Sequence, residues 1–316
     1  MPRSSTASHA MRHRPLARAA LLAIIPAALT LSGCNSGDTK SQQAQLRPRL
    51  IDPEPIVARF NDRTSRVTSL WARASVVIEG KDSEGRGLRE RAEGHFQIIP
   101  PNRVAMSLGK IGNTNLYFGS DEIFYWWFDM IDGDNKAATV GRHAHITPEK
   151  IDTLGLPIDP LDLIDALGIT PLPTDMRRIV AKPGPVDGTV ILSAPTRRGV
   201  RRYTLDENTA EPSRVELIGP GGVPVLDVAL SRYRMLKNLD EGEAPLRAPG
   251  RIVVRMNGFD GELRFSLEAH DRRKIRPVAF RVDLLIDAYG ITKIIDLDEP
   301  APGSQSAEPM EAGDLP

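Results

Sequence analysis

The residue with the most specific chemistry in this 316-residue chain is Cys34, its only cysteine. A single thiol cannot form an intrachain disulfide or complete a multi-cysteine zinc or iron–sulfur site. It can carry a covalent group, and the preceding residues indicate which kind. Arg12, Arg14 and Arg18 lead into an apolar run, residues 19–31, that is too short to cross about 30 Å of hydrocarbon at about 1.5 Å per residue. This order is typical of an export signal, here residues 1–33.

The sequence Leu31-Ser32-Gly33-Cys34 resembles the lipobox of bacterial lipoproteins, in which small residues precede a lipid-modified cysteine. The resemblance implies cleavage before Cys34, acyl and diacylglyceryl chains on that residue as a covalent anchor, and no further cofactor. It also implies the bacterial cell envelope. Asn35 is not the aspartate that keeps some lipoproteins at the inner membrane, which favours the outer membrane, facing the periplasm. The alternatives are an ordinary signal peptide with an incidental cysteine, and a start at Met11.

The composition argues against several classes of protein. The 41 Lys and Arg residues balance the 41 Asp and Glu residues, whereas proteins that bind nucleic acid carry a basic excess. The 26 Gly and 26 Pro residues disfavour an all-helical bundle, since both interrupt helices. Cleavage before Cys34 would remove four arginines and no acidic residue, so the exported chain would be mildly acidic.

The familiar catalytic motifs are missing from the sequence, including a nucleophile elbow, a zinc-binding His-Glu-x-x-His and a phosphate-binding glycine loop. His143 and His145 would point the same way in a strand, but two imidazoles alone are a poor metal site. Asp129, Asp132 and Asp134 lack the spacing of a calcium loop, and the Asp-Gly pair at Asp132 is typical of a hairpin turn. We therefore expect neither a metal site nor an enzyme.

Residues 53–298 are predicted to form one domain, between a polar tether at 34–52 and an acidic tail at 299–316. A helix is predicted to start at Pro53, with Ile56, Val57 and Phe60 as its apolar positions. A second, short helix is predicted from Pro160 to Gly168, with Asp159 as its N-cap, and another helix start at 147–149.

Alternating apolar and polar residues predict a sheet with one buried and one exposed face, as in Leu263, Phe265 and Leu267. The same alternation from Val278 to Ile286 predicts a further strand. The expected fold is therefore α+β and mainly antiparallel β. The other predicted strands cover residues 91–99, 103–108, 116–118, 123–130, 203–205, 214–218, 223–230 and 252–256.

Three features resemble the LolA/LolB-like family of bacterial envelope lipoprotein carriers: the strand series 94–97, 101–104, 117–119 and 124–126, the helical insert at 160–168, and the hairpin at 203–216 followed by two glycines. The resemblance implies a half-open curved β-barrel with helices covering an apolar concave face. That face holds acyl chains in the family. The residues expected to bind them here are Phe96, Tyr117, Tyr125, Trp127, Leu161, Ile164 and Leu167.

Two of these assignments leave alternatives open. In a strand over 123–128, Tyr125 and Trp127 share one face, while Phe124, Trp126 and Phe128 share the other. The strand is therefore either packed on both faces or lines a cavity on one of them. The second predicted helix fits a lid over such a cavity and an ordinary amphipathic core helix equally well.

Two basic runs, at 197–202 and 272–276, are expected to be solvated loop charges, with anionic headgroups or an acidic partner as the alternative. Two functions then fit the sequence. The first is a carrier or acceptor that binds membrane lipids or acylated lipoproteins. The second is a scaffold lipoprotein whose surface binds another envelope protein.

Overall fold

The computed structural model describes residues 50–81, 85–110, 113–147, 149–150, 160–196 and 199–299. These residues fall in one compact unit that begins at Pro48. The export signal, Cys34, most of the tether and of the acidic tail, Arg197-Arg198, Asp159, residue 148 and residues 151–158 lie outside the described residues.

One open sheet of fourteen strands dominates the described part of the chain. Its order is β16-β6-β5-β4-β3-β2-β1-β15-β14-β11-β10-β9-β8-β7, and β12 and β13 form a separate ribbon. Neighbouring strands are antiparallel, apart from β16 beside β6. The strands are β1 (Leu70–Lys81), β2 (Gly87–Ile99), β3 (Arg103–Lys110), β4 (Asn113–Ser120), β5 (Phe124–Asp129), β6 (Ala137–Arg142), β7 (Val180–Pro183), β8 (Thr189–Thr196), β9 (Gly199–Asp206), β10 (Pro212–Ile218), β11 (Pro224–Ser231), β12 (Arg234–Met235), β13 (Arg247–Ala248), β14 (Arg251–Met256), β15 (Gly261–Asp271) and β16 (Lys293–Asp296).

Strand β1 lies in the middle of this sheet and joins its two halves. It pairs with β2, the next strand along the chain, and with β15, almost 200 residues later. The sequence analysis missed β1, although Leu70, Ala72, Ala74 and Val76 are buried at every second position. The edge strands β16 and β7 do not pair with each other, so the sheet stays open. The predicted α+β class, with an open curved antiparallel sheet and helices, is confirmed.

The described residues contain the α-helices α1 (Glu54–Ser65), α2 (Pro160–Ala166) and α3 (Val282–Tyr289), and residues 149–150, at the helix start predicted at 147–149, are also helical. The first two match the predicted helices. Gly168, just after α2, has φ +61°, and a Cβ there would lie 2.4 Å from Cγ of Pro212. Glycine therefore permits both the left-handed turn and the close packing that end α2. None of the described helices is long and apolar enough to span a bilayer.

The strand predicted from Val278 to Ile286 is wrong. The chain forms a 3-10 helix at Pro277–Phe280 and then α3, which ends at Gly290 with φ +62°. Alternation and helical spacing overlap here, because Val282, Ile286 and Tyr289 also recur at intervals of three and four residues. The helical arrangement wins because α3 covers one face of the sheet.

Both faces of the sheet carry apolar clusters. We define the inner face as the one covered by α1 and α2, where buried side chains from β1–β4, β8–β11, β14 and β15 meet. The outer face, on the opposite side of β3–β6, carries a smaller cluster that packs on α3. The expectation of one exposed face therefore fails over β3–β6.

Strand β5 is packed on both sides, which was one of its two predicted alternatives. Trp126 and Phe128 are fully buried in the outer cluster. Trp127 is half-buried and packs on the inner cluster, with its ring 6.0 Å from that of Phe118. Ile123 lies just before the strand and is 58% exposed.

The two histidines and the three aspartates considered in the sequence as metal ligands lie in or beside short turns. His143 and His145 lie in a 3-10 helix rather than a strand. Nε2 of His143 lies 3.1 Å from the carbonyl oxygen of Asp121, and His145 approaches Asp298. The backbone N–H of Asn135 donates to the carbonyl of Asp132, which places the predicted turn between β5 and β6.

Three arginines of the two basic runs are not simply solvated, contrary to the expectation, whereas Lys274 and Arg276 are exposed as expected. Arg201 pairs with Asp165 of α2. The side chain of Arg272 is only 9% exposed and pairs with Glu243. Arg273 lies 4.0 Å over the ring of Trp71. These guanidinium groups are used inside the fold, where they join segments that are distant in sequence.

Candidate functional site

The inner face is the largest apolar surface in the described residues, and helices α1 and α2 cover it. The sequence of α1 places Ile56, Val57 and Phe60 on the side that meets the sheet, and all three are buried. The ring of Phe60 lies 5.3 Å from that of Tyr203 on β9. Burial raises the pKa of Tyr203 to about 12, so its hydroxyl stays neutral.

Most of the residues predicted to bind acyl chains lie together on this face. Phe96 of β2, Ile164 of α2 and Leu167 just after α2 are buried in the inner cluster. Trp127 and Leu161 are half-buried and pack against it. The strand and helix assignments therefore converge on one apolar surface, and α2 packs against β4 there.

The two predicted tyrosines are placed differently. Tyr125 is fully buried on the inner side of β5, but its ring packs near His143, 5.6 Å away, at the end of the strand. Tyr117 lies in the outer cluster, where its hydroxyl donates to the carbonyl of Ala279 at 2.8 Å. Burial, with Tyr289 nearby, raises the pKa of Tyr117. Tyr117 is thus separated by the sheet from the other predicted residues.

A small group of polar contacts holds α2 and the segment after it in place. Arg201 of β9 pairs with Asp165, and Arg63 of α1 donates to the carbonyl of Gly168. Asn61 of α1 donates to the carbonyl of Leu172 at 3.0 Å and accepts from its N–H at 2.7 Å. We call these the α2 contacts. They lie at the C-terminal end of α2 and in the segment that follows it.

Sequence reasoning did not find the α2 contacts. One signal was available for Arg63, which falls seven residues after Ile56 and three after Phe60, on the apolar side of α1. A charged residue at such a position predicts a buried partner. Asp165 and Arg201 carry no comparable signal, because their pairing depends on how α2 packs on the sheet.

The chemistry of this site is apolar burial. Within the described residues no group of three or more His, Cys, Asp or Glu side chains could hold a metal ion. Hydrocarbon enclosed between the inner face and α2 would gain about 0.8 kcal/mol for each methylene removed from water.

No family model and no curated protein matches the chain. Among solved structures, it is similar to a domain named for outer membrane lipoprotein sorting from Vibrio parahaemolyticus, with a TM-score of 0.49 and 9% identity over 75% of this chain and 99% of that one. It is also similar to a LolA superfamily protein from Nitrosomonas europaea, with a TM-score of 0.47 and 9% identity over 74% and 99%.

These matches recover the resemblance that the sequence predicts. With TM-scores below 0.5 and about a tenth of the residues identical, they carry no argument about function.

Proposed function

We propose that this chain is a bacterial envelope lipoprotein that binds the acyl chains of lipids or of other lipoproteins on its inner face. The observation that carries the proposal is a continuous apolar face covered by α1 and by the short helix α2, which a few polar contacts hold. The domain is attached to the membrane through lipid on Cys34, on the outer membrane facing the periplasm. Its work is binding and release rather than catalysis.

The proposed binding step is a displacement of α2 from the inner face. In the state described, Ile164 and Leu167 fill the space next to β4 that an acyl chain would take. When a bound acyl chain replaces these side chains, the inner face stays shielded from water. The free energy required for the exchange is therefore mainly that of breaking the α2 contacts.

The proposal is tested with the exported domain, residues 48–316, which is one compact unit. The domain is purified without detergent and examined by native mass spectrometry, by organic extraction and by titration with a fluorescent fatty acid. We expect co-purifying lipid, or saturable binding that quenches tryptophan fluorescence, since Trp127 lies at the face. A lipid-free domain that also ignores the fatty acid would contradict acyl binding.

Replacing Arg201 by Gln is expected to strengthen fatty-acid binding while weakening the fold. The substitution removes the charge that pairs with Asp165, so α2 leaves the sheet more easily. Breaking this partly buried pair should lower the free energy of unfolding by about 1–3 kcal/mol. Chemical unfolding and fatty-acid titration measure the two effects.

The matched control is Arg214→Gln, which removes an exposed pair with Asp227 between β10 and β11, away from α2. Exposed pairs contribute about 0–1 kcal/mol, so both stability and binding should change little. Equal fatty-acid affinities in the two variants would show that α2 does not control access.

A scaffold role is the second candidate. The observation in its favour is that Tyr203, Ile164 and Leu167 are already almost completely buried, as in a filled core. In that case the domain would bind another envelope protein through solvent-exposed residues. The same titration separates the two roles, because a filled core binds no fatty acid even when Arg201 is replaced.

A further inference from the structure

A separate cavity of about 500 Å³ lies beside α1, between the β9–β10 turn and the segment that leads into β13. The lining includes exposed residues of α1 and the buried Arg63, whereas Ile56, Val57 and Phe60 pack on the inner face. The sequence analysis did not single out this place. Its charged lining residues are Arg59, Asp62, Arg63, Arg66, Glu211 and Arg247.

Arg63 is the unusual member of this set. Its side chain is only 6% exposed, and Nη2 donates to the carbonyl of Gly168. Nε and Nη1 are buried and have no hydrogen-bond partner among the described residues. A buried, charged N–H group without a hydrogen-bond acceptor lowers the stability of the fold. A guanidinium carries five such N–H groups in a planar fork. A buried cation with unfilled donors therefore lies in the wall of the cavity.

The carboxylates of the cavity do not fill those donors. Asp62 pairs with Arg66 at 3.6 Å, and Glu211 pairs with Arg247 at 3.2 Å. Burial raises the pKa of Glu211, although Arg247 and Arg63 act in the opposite direction. Four arginines against two acidic residues leave an excess of two positive charges in the lining.

We propose that this cavity binds a phosphate group, with Arg63 as its buried donor and Arg66 and Arg247 at its rim. A dianionic phosphate matches the excess of two positive charges, and its oxygens accept paired N–H groups from an arginine fork. The volume exceeds that of a bare ion and admits a phosphate monoester. The ligand is either free phosphate or the headgroup of a lipid monoester. Arg63 is also one of the α2 contacts, so Glu211→Gln and Arg247→Gln are the variants that test this site apart from acyl binding on the inner face.

The test is isothermal titration of the full chain, in micelles of a non-ionic detergent, with inorganic phosphate, sn-glycerol 3-phosphate and acetate. Saturable heat is expected with the phosphate probes, and acetate should bind at least about tenfold more weakly, because it carries one charge and two oxygens. Tighter binding of glycerol 3-phosphate than of phosphate identifies a headgroup site. Equal or weaker binding of the ester identifies a site for the free ion.

Substitutions of residues that line the cavity test whether phosphate binds there. Arg63→Lys keeps a charge but loses the fork, so phosphate affinity should fall at least about tenfold. Glu211→Gln removes a repulsive charge and should raise the affinity about threefold, a gain that misfolding cannot produce. Arg247→Gln should lower it about threefold. The control, Arg255→Gln, removes another surface arginine that is paired with a glutamate, Glu262, and should change nothing.

Two results would overturn the proposal. One is the lack of saturable heat with both phosphate probes. The other is equal phosphate affinity in the wild type, Glu211→Gln and Arg247→Gln, which would mean that the ion binds elsewhere. If Arg63→Lys does not fold, as judged by thermal unfolding, the two rim variants still decide the question.

Discussion

Replacing Trp126 by Ala is expected to lower the free energy of unfolding by about 3–5 kcal/mol. The indole is fully buried in the outer cluster, between β5 and the helical segment that contains α3. The cross-strand neighbour is Gly119, where a Cβ would lie 2.6 Å from the indole ring, so the ring occupies space that glycine leaves open. Gly119 has no side chain that could move into the space left by the indole, so most of the cost of the lost packing should appear.

Denaturant-induced unfolding followed by circular dichroism measures this effect. The matched control is the neighbouring residue, because Trp127→Ala removes the same side chain from the opposite face of the same strand. Trp127 is half-buried, so its replacement should cost about 1–2 kcal/mol. Equal losses for the two variants would mean that the outer cluster is not a packed core.

Replacing Cys34 by Ser is expected to remove the lipid anchor completely. The thiol sulfur is the atom that would bear the diacylglyceryl group, and a serine hydroxyl is a far weaker nucleophile than a thiolate. Each methylene of an acyl chain that is buried in the bilayer contributes about 0.8 kcal/mol of binding free energy. One acyl chain therefore gives only reversible membrane binding, whereas several chains together give a stable anchor. Without these chains, the domain should lose its stable attachment to the membrane.

Intact-mass spectrometry of the purified chain reports the adduct directly. The wild type should carry the added mass of the lipid, and Cys34→Ser should lack it. Ser36→Ala, two residues further on, is the control and should retain the adduct. A wild-type chain with an unmodified Cys34 thiol would favour the ordinary signal peptide with an incidental cysteine.

The predicted strands and turns of the second half were found because their alternation is strict and their turns carry Gly, Asn and Asp. The hairpin between β14 and β15 is one example. The helices α1 and α2 were found from proline at their starts and, for α2, from Gly168 after its end. Strand β1 could have been found in the same way, since its buried positions alternate from Leu70 to Val76.

The helix α3 could not be separated from a strand by local pattern alone. Its apolar residues satisfy both periods, and only the presence of an apolar outer face on β3–β6 decides for a helix. The same reasoning applies to Tyr117. Its aromatic character was evident in the sequence, but the face on which it lies depends on the register of β4 with β5.

The sequence by itself determined the lone cysteine and its setting, the antiparallel strand pattern and the two helices that cover the inner face. These features depend on residue type and short spacing, which local physical chemistry can interpret. Only the tertiary structure decided that Asp165 meets Arg201 and that Arg63 lies buried beside Glu211 and Arg247. Such contacts join residues far apart in the chain, and their geometry follows from how the sheet curves and how the helices pack on it.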